Sequence, residues 1–313
     1  ARRRVRAQVL PLKASDLTGK AVVVTGAGRG LGRAYAVALA RAGAAVVVND
    51  LDEKAAEETA ALCGSRATVA AGDVGDRSTA DALVARAVDR FERIDAIVTN
   101  AGVLRDSVLW KTTDDDFDLV VRTHLRATFL CARAAAVRMR EQAQGGRIIV
   151  VSSPAGQHGN FGQTSYAAAK AGIVALARTW ALELARAQIT VNAIVPTAWT
   201  AMTSTIPIYQ PLAARVAAGE PLPAVVRREH AIGMPEDCAG LIVFLVSDAS
   251  AAITGQAIGI GGDRLCLYSH PAELVTELRD GGWDADAIAA VWQERFAAHL
   301  QPSGIRLPKL ELS

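Results

Sequence analysis

Ala21-Val22-Val23-Val24-Thr25-Gly26-Ala27-Gly28-Arg29-Gly30-Leu31-Gly32-Arg33-Ala34-Tyr35 is the stretch that decides how this chain folds. A fully apolar run stops at a threonine, glycines alternate through the next seven residues, and an alanine-rich segment continues to about Ala42. Apolar residues at every position suit a strand covered on both faces. Glycines at its end permit a tight turn and close approach of the backbone to a ligand. The helix that opens there offers free N–H groups and the positive end of its dipole. Together these predict strand, turn and helix around a pyrophosphate, with Gly26, Gly28, Arg29, Gly30, Leu31 and Gly32 as its cradle.

Outward from this point the same rhythm repeats. Short β-branched runs at Val46 to Asn49, Thr68 to Ala70, Ile94 to Thr99, Ile148 to Val151, Ile189 to Ile194 and Ala257 to Ile260 alternate with amphipathic alanine-rich stretches. Crossover helices between apolar strands imply parallel pairing with right-handed connections. The expected fold class is α/β, a Rossmann-like doubly wound parallel sheet of about seven strands with helices on both faces and a ligand at their carboxyl ends. Three parts are expected: a basic arm over 1–15, the Rossmann-like body over 16–262, and a helical extension over 263–313. Within the body, about 197–232 is too long and apolar for an idle loop and reads as a substrate lid. Its Trp199, Met202, Ile206, Ile208, Tyr209 and Leu212 argue for a bulky apolar alcohol such as a steroid or an acyl thioester. In the extension, Gly281-Gly282 separates two helical patterns, and Ile288, Val291, Trp292, Phe296 and Leu300 share one face. That face should pack on the body or on a neighbouring subunit and close the active site.

The bulk numbers narrow the function. A chain of 313 residues that is 51% hydrophobic can bury one large core. The net charge is +2, and Arg2, Arg3, Arg4 and Arg6 precede the predicted fold, so no basic face for nucleic acid is indicated. Cys63, Cys131, Cys238 and Cys266 are widely spaced, with no C-x-x-C pair, and read as buried thiols in a reducing compartment with no metal. No apolar run approaches the roughly 20 residues of a spanning helix. The arginine-led start lacks the apolar core of a secretory signal. The expectation is a soluble, cytoplasmic enzyme with a small-molecule substrate and no membrane partner.

Asp50 ends the second predicted strand, where a carboxylate can accept hydrogen bonds from ribose hydroxyls and repel a 2′-phosphate. The same carboxylate could instead cap the next helix. Arg29 pulls the other way, since a guanidinium in the turn could reach a 2′-phosphate. NAD is expected over NADP. At the other end, Ser152-Ser153 closes the fifth strand, and Tyr166 and Lys170 lie four residues apart, on one helix face. A phenol is a poor base at neutral pH, but a neighbouring ammonium favours the phenolate. Ser153 can hydrogen-bond a substrate oxygen in line with that phenol.

The glycine run, Thr99-Asn100-Ala101-Gly102, and Ser153 with Tyr166 and Lys170 together resemble the short-chain dehydrogenase/reductase family over about residues 16 to 262. The resemblance implies a homodimer or homotetramer and direct hydride transfer between a nicotinamide and an alcohol or ketone. It implies contacts from Leu51, Asp73 and Val74 to the adenosine, a pocket floor shaped by Asn100, Ala101 and Gly102, and a carboxamide held by the loop from Pro196 through Thr200. Val47 to Leu51, Thr123-His124-Leu125 and Gly159-Asn160-Phe161-Gly162-Gln163 look most like the dehydrogenase part of peroxisomal multifunctional enzymes, which act on 3-hydroxyacyl-CoA and 17β-hydroxysteroids. Two departures stand out. His124 replaces a common relay asparagine; imidazole also carries protons, although a histidine inside a helix could equally be a satisfied core residue. Pro196-Thr197 replaces a frequent Pro-Gly. The rival readings are an NADPH-dependent carbonyl reductase, a non-catalytic nucleotide sensor on the same fold, and an epimerase or dehydratase that retains its NAD.

Overall fold

The structure, a computed structural model, describes residues 16–200 and 203–308; the expected basic arm and Met202 lie outside the described residues. Eight strands form one sheet in the order β3-β2-β1-β4-β5-β6-β7-β8. They are β1 (Ala21–Val24), β2 (Ala45–Val48), β3 (Ala67–Val69), β4 (Ala96–Thr99), β5 (Gly146–Val151), β6 (Ile189–Pro196), β7 (Ala257–Gly261) and β8 (Arg264–Leu267). All neighbours pair in parallel except β7 with β8. The doubly wound α/β class holds, and the eighth strand is the correction to the expected seven. Arg264–Leu267 follows Gly262 closely enough to fold back as a hairpin. Its exposed side chains leave little burial pattern to read.

Alternate residues of each strand face opposite layers. On one face, Val23, Val47, Ile97, Ile148 and Val150 pack with α3 (Arg77–Phe91), α5 (Ala127–Gln142) and α7 (Thr164–Glu183). On the other, Val22, Val24, Val46, Val98 and Ile149 meet α1 (Gly30–Arg41), α2 (Glu53–Cys63) and α10 (Pro235–Val246). Alanines on α1 and α5 let these helices sit close against the β-branched sheet. Helix α4 (Asp114–Val121) runs into α5 through one wide turn, Arg122–Arg126, with π geometry.

The segment expected as a lid holds α8 (Gln210–Ala217) and α9 (Ala224–Arg228) and builds a small core of its own from Trp199, Tyr209, Leu212, Leu222, Val226 and Ile232. Three of the side chains expected to meet substrate, Trp199, Tyr209 and Leu212, are therefore spent on packing the lid. Ile206 and Ile208 remain exposed. The extension differs too. Its first predicted helical pattern is β8 followed by irregular chain, and only the second is helical, as α11 (Ala285–Val291) and the turns that follow it. Within the single chain its apolar face lies open, with Ile288, Trp292 and Leu300 exposed. Cys131 and Cys238 are buried, whereas Cys63 and Cys266 are only half-buried. Among the described residues, no helix is long and apolar enough to cross a membrane, and no cluster of His, Cys, Asp and Glu could hold a metal.

Ile97 sits fully buried in the central strand beside the point where the chain reverses its winding. Ile97→Ala should cost about 3 kcal/mol, because a cavity there has rigid neighbours on both sides. A urea unfolding midpoint shifted with unchanged slope would show it.

Candidate active site

Strands β1 and β4 are neighbours, yet the strands beyond them wind in opposite directions, so their carboxyl ends diverge and leave a crevice. The glycine turn fills one wall. Gly26 has φ +59, and a Cβ there would lie 2.6 Å from the Ala101 Cα, so the chain after β4 can press on the turn only if residue 26 is glycine. Thr25 Oγ1 accepts from the backbone N–H of Asn100 (3.0 Å) and of Ala101 (3.2 Å). The Asn100 amide donates back to the carbonyls of Thr25 (3.2 Å) and Gly26 (3.0 Å). Asn100 and Ala101 are thus braces that fix the turn. Helix α1 then opens with no side chain capping its N-terminal N–H groups and no acidic residue in its first turn. An anion is the natural partner for such a terminus, so the cradle fits a dinucleotide pyrophosphate.

Asp50 faces this turn. One carboxylate oxygen accepts from the Gly28 N–H (2.8 Å) and the other from the Asp52 N–H (3.1 Å), which leaves acceptor capacity on both. It does not cap α2; Asp52 does, accepting from the Ala55 N–H at 3.2 Å. Asp52 also pairs with Arg29 at 2.5 Å on the exposed rim, so the guanidinium already has a carboxylate partner. Leu51 is exposed and Val74 is buried beneath the rim. Asp73 binds Arg122 (2.6 Å) and the Gly75 N–H (2.7 Å). Burial would raise its carboxyl, but these hydrogen bonds and the guanidinium charge outweigh it and hold the group below the usual range. Arg122, 49 residues away in sequence, was invisible to local spacing. Pro196 ends β6, and Thr200 lies over the turn, its methyl 3.9 Å from where a Gly30 Cβ would stand.

The second cluster forms where β5 ends. Ser153 is the N-cap of the short α6 (Pro154–His158), its Oγ accepting from the Ala155 N–H at 3.2 Å. Tyr166 and Lys170 lie on the first turns of α7, and the Tyr166 hydroxyl is close enough to Ser153 for its pKa to feel that side chain. Burial pushes the Tyr166 phenol up, Ser153 pulls it down, and Asp106 adds to the rise; the net direction is up. Lys170 is buried, donates to the Val151 carbonyl at 2.7 Å, and stands 5.6 Å from the centre of the Tyr166 ring. Burial lowers its ammonium to about 7. At this separation a charge on the phenol would favour a charge on the amine.

His124 completes the cluster from the wide turn between α4 and α5. Its ring meets Tyr166 edge to face, with centroids 5.2 Å apart. Gly102 makes room for it, since a Cβ there would fall 2.1 Å from His124 Cε1. Nε2 lies 2.7 Å from the Val103 carbonyl oxygen and 3.0 Å from the Val103 N–H, so one tautomer donates to the carbonyl and the other accepts from the amide. Nδ1 is buried with no protein partner among the described residues. Burial, and then the Lys170 charge, lower the imidazole to about 3, and the Val103 bond offsets only part of this. The ring is neutral at physiological pH. A neighbouring loop is pinned alongside: Ser107 N–H donates to the Gly162 carbonyl (2.8 Å) and Gln163 Nε2 to Asp106 (3.0 Å). Nothing in the spacing of 106 and 163 foretells that contact.

His124 binds its proton in the unfolded chain below about pH 6.5 but in the folded protein only near 3. Stability attributable to this group is therefore complete above 6.5 and is lost as pH falls towards 3. His124→Asn, which has no such group, should show a shallower acid limb when urea midpoints are followed from pH 7 to 4.

The sequence profile described as short chain dehydrogenase matches residues 20–207. The chain is 40% identical over 301 residues to the hydroxyacyl-CoA dehydrogenase ChsB1 of Mycobacterium tuberculosis, covering 90% of each protein. It is 43% identical over 197 residues to the peroxisomal multifunctional enzyme type 2 of Mus musculus, a match that spans 60% of this chain and 27% of that longer protein. Its fold superposes on the crystal structure of a short chain dehydrogenase from Mycobacterium avium with a TM-score of 0.79 at 32% identity, over 92% of this chain and 98% of the other.

Proposed function

The chain belongs to the short chain dehydrogenase family and is a nicotinamide-dependent oxidoreductase of CH–OH groups; on that premise we propose that it uses NAD to oxidise the secondary alcohol of a bulky hydroxyacyl thioester. The observation that carries the chemistry is the convergence of Ser153 and Tyr166 at the end of β5 with Lys170 buried behind them. Tyr166 is the acid–base group and takes the hydroxyl proton of the substrate. Ser153 holds the substrate oxygen as it becomes a carbonyl, its own position fixed by the start of α6. Lys170 supplies the positive charge that makes a phenolate attainable, which the burial of Tyr166 alone would prevent. His124 stands behind Tyr166 as a neutral ring whose Nδ1 has no protein partner among the described residues, a place where one water can join a proton path. When bound, the nicotinamide accepts the hydride; the glycine turn and the free N-terminus of α1 hold the dinucleotide.

For the cofactor, the reading of NAD over NADP rests on Asp50, whose charge stands against the turn, and on Arg29, which is already paired with Asp52. For the substrate, it rests on the hydroxyacyl-CoA dehydrogenase of M. tuberculosis and on the exposed Ile206 and Ile208 of the lid. A steroid alcohol is the second reading, favoured by the same apolar pair. The four unpaired cysteines fit a reducing cytoplasm, and the open apolar face of α11 fits burial in a homodimer or homotetramer.

Reduced-nicotinamide absorbance should rise with NAD and a 3-hydroxyacyl-CoA, and Tyr166→Phe should lower kcat by about 10²- to 10⁴-fold without loss of NAD binding. Oxidation of steroid alcohols alone would move the assignment to the second reading. Asp50→Asn keeps an acceptor for the Gly28 N–H while removing the charge. It should shift the NADP-to-NAD ratio of kcat/KM upward by about tenfold; an unchanged ratio would take Asp50 out of cofactor choice.

A further inference from the structure

The lid core does not merge with either core of the sheet, so its placement over the site depends on a few discrete contacts. At its neck, Trp199 N–H donates to the Gly233 carbonyl at 2.6 Å, and Arg227 bridges Asp237 (2.9 Å) and Asp263 (2.8 Å). Those bonds fix where the lid begins and ends.

Between Arg227 and Gly233 lies His230, buried to 3% exposure with both ring nitrogens engaged. Nδ1 lies 2.8 Å from the Tyr209 hydroxyl and Nε2 lies 3.1 Å from the Pro308 carbonyl oxygen. A carbonyl only accepts, so Nε2 carries the proton, and in the neutral ring Nδ1 accepts from the Tyr209 O–H. The bonds run one way: Tyr209 to His230 to the C-terminal chain. Four residues earlier, the Gly304 N–H donates to the His158 carbonyl at 2.7 Å, and His158 ends the short helix that Ser153 begins. Four chain steps reach about 14 Å at most. Residues 304–308 are thus a strap of fixed reach between the catalytic helix α6 and the inside of the lid.

We propose that this strap latches the lid, with His230 as the positioning residue that sets how closely the lid stands over an extended substrate. The proposal deepens the reading above and rests on it for the substrate. Neither His230 nor the strap touches the reacting atoms; they act on where Ile206 and Ile208 are held. A short alcohol that does not reach the lid has no use for the latch, whereas a long acyl chain does.

Two variants test it, one on each side of the latch. His230→Phe keeps a buried ring and removes both bonds, with His230→Gln as the conservative control. Gly304→Val has open space for its side chain but sits at φ +98, where a β-branched residue is strained, so it loosens the strap without entering the lid core. In both His230→Phe and Gly304→Val, hydrogen exchange measured by mass spectrometry should rise together in residues 304–308 and 209–217 and stay unchanged in α7. KM for a long-chain 3-hydroxyacyl-CoA should rise by about tenfold with kcat within twofold, and KM for a four-carbon thioester should not move. His230→Gln should recover part of the loss. Unchanged exchange over 209–217 in Gly304→Val overturns the latch, as does an equal KM rise for short and long substrates. If no thioester is turned over by the wild-type protein, the substrate reading fails, while the exchange results still decide the latch on their own.

Discussion

The pairing of β1 with β4 is the constraint on which the rest of this structure depends. Strands β1 to β3 step outward one way and β4 to β7 the other, so the connections leaving β1 and β4 go to opposite faces of the sheet. The crevice between them is a consequence of winding, and it exists before any functional side chain is placed. A crevice alone would be a hole in the end of the sheet. The Asn100 amide and the Thr25 hydroxyl turn it into a site by tying the two strand ends together across the gap.

The site has two chemistries held by two different means. At the glycine turn the binding groups are backbone N–H donors, and the side chains around them, Asn100, Asp50 and Thr25, serve to hold that backbone still. At the end of β5 the clustered groups are side chains, and burial does the tuning. Taking Lys170 and Tyr166 out of water raises the cost of either charge alone, which makes the two charges mutually dependent. His124 is kept neutral by the same burial.

The wide turn at Arg122–Arg126 links these ends. It brings His124 inward against Gly102 and Tyr166 while its first residue, Arg122, faces the rim and binds Asp73 and Asp76. A regular helix there would aim different side chains at both places. Such wide turns are costly in backbone hydrogen bonding and occur chiefly where a site needs a side chain re-aimed.

How much of this was legible beforehand depends on whether the signal is local. The repeated apolar runs specify parallel buried strands because each must be covered on both faces. The glycine turn announces itself because three adjoining elements agree within some twenty residues. Tyr166 and Lys170 are legible because one helical turn puts them on the same face. Contacts that cross the chain carry no such mark. Arg122 with Asp73, Gln163 with Asp106 and Gly304 with His158 are visible only once the fold brings distant segments together. The lid shows the limit most clearly: composition identified Trp199, Tyr209 and Leu212 as apolar, but whether an apolar side chain meets a substrate or its own neighbours is decided by which direction it faces in the packed chain. The sequence by itself determined the sheet, the turn and the chemical identity of the proposed catalytic groups, since these follow from periodicity and residue type. Tertiary structure alone decided burial, and with it the charge states of His124 and Lys170 and the inward packing of the lid.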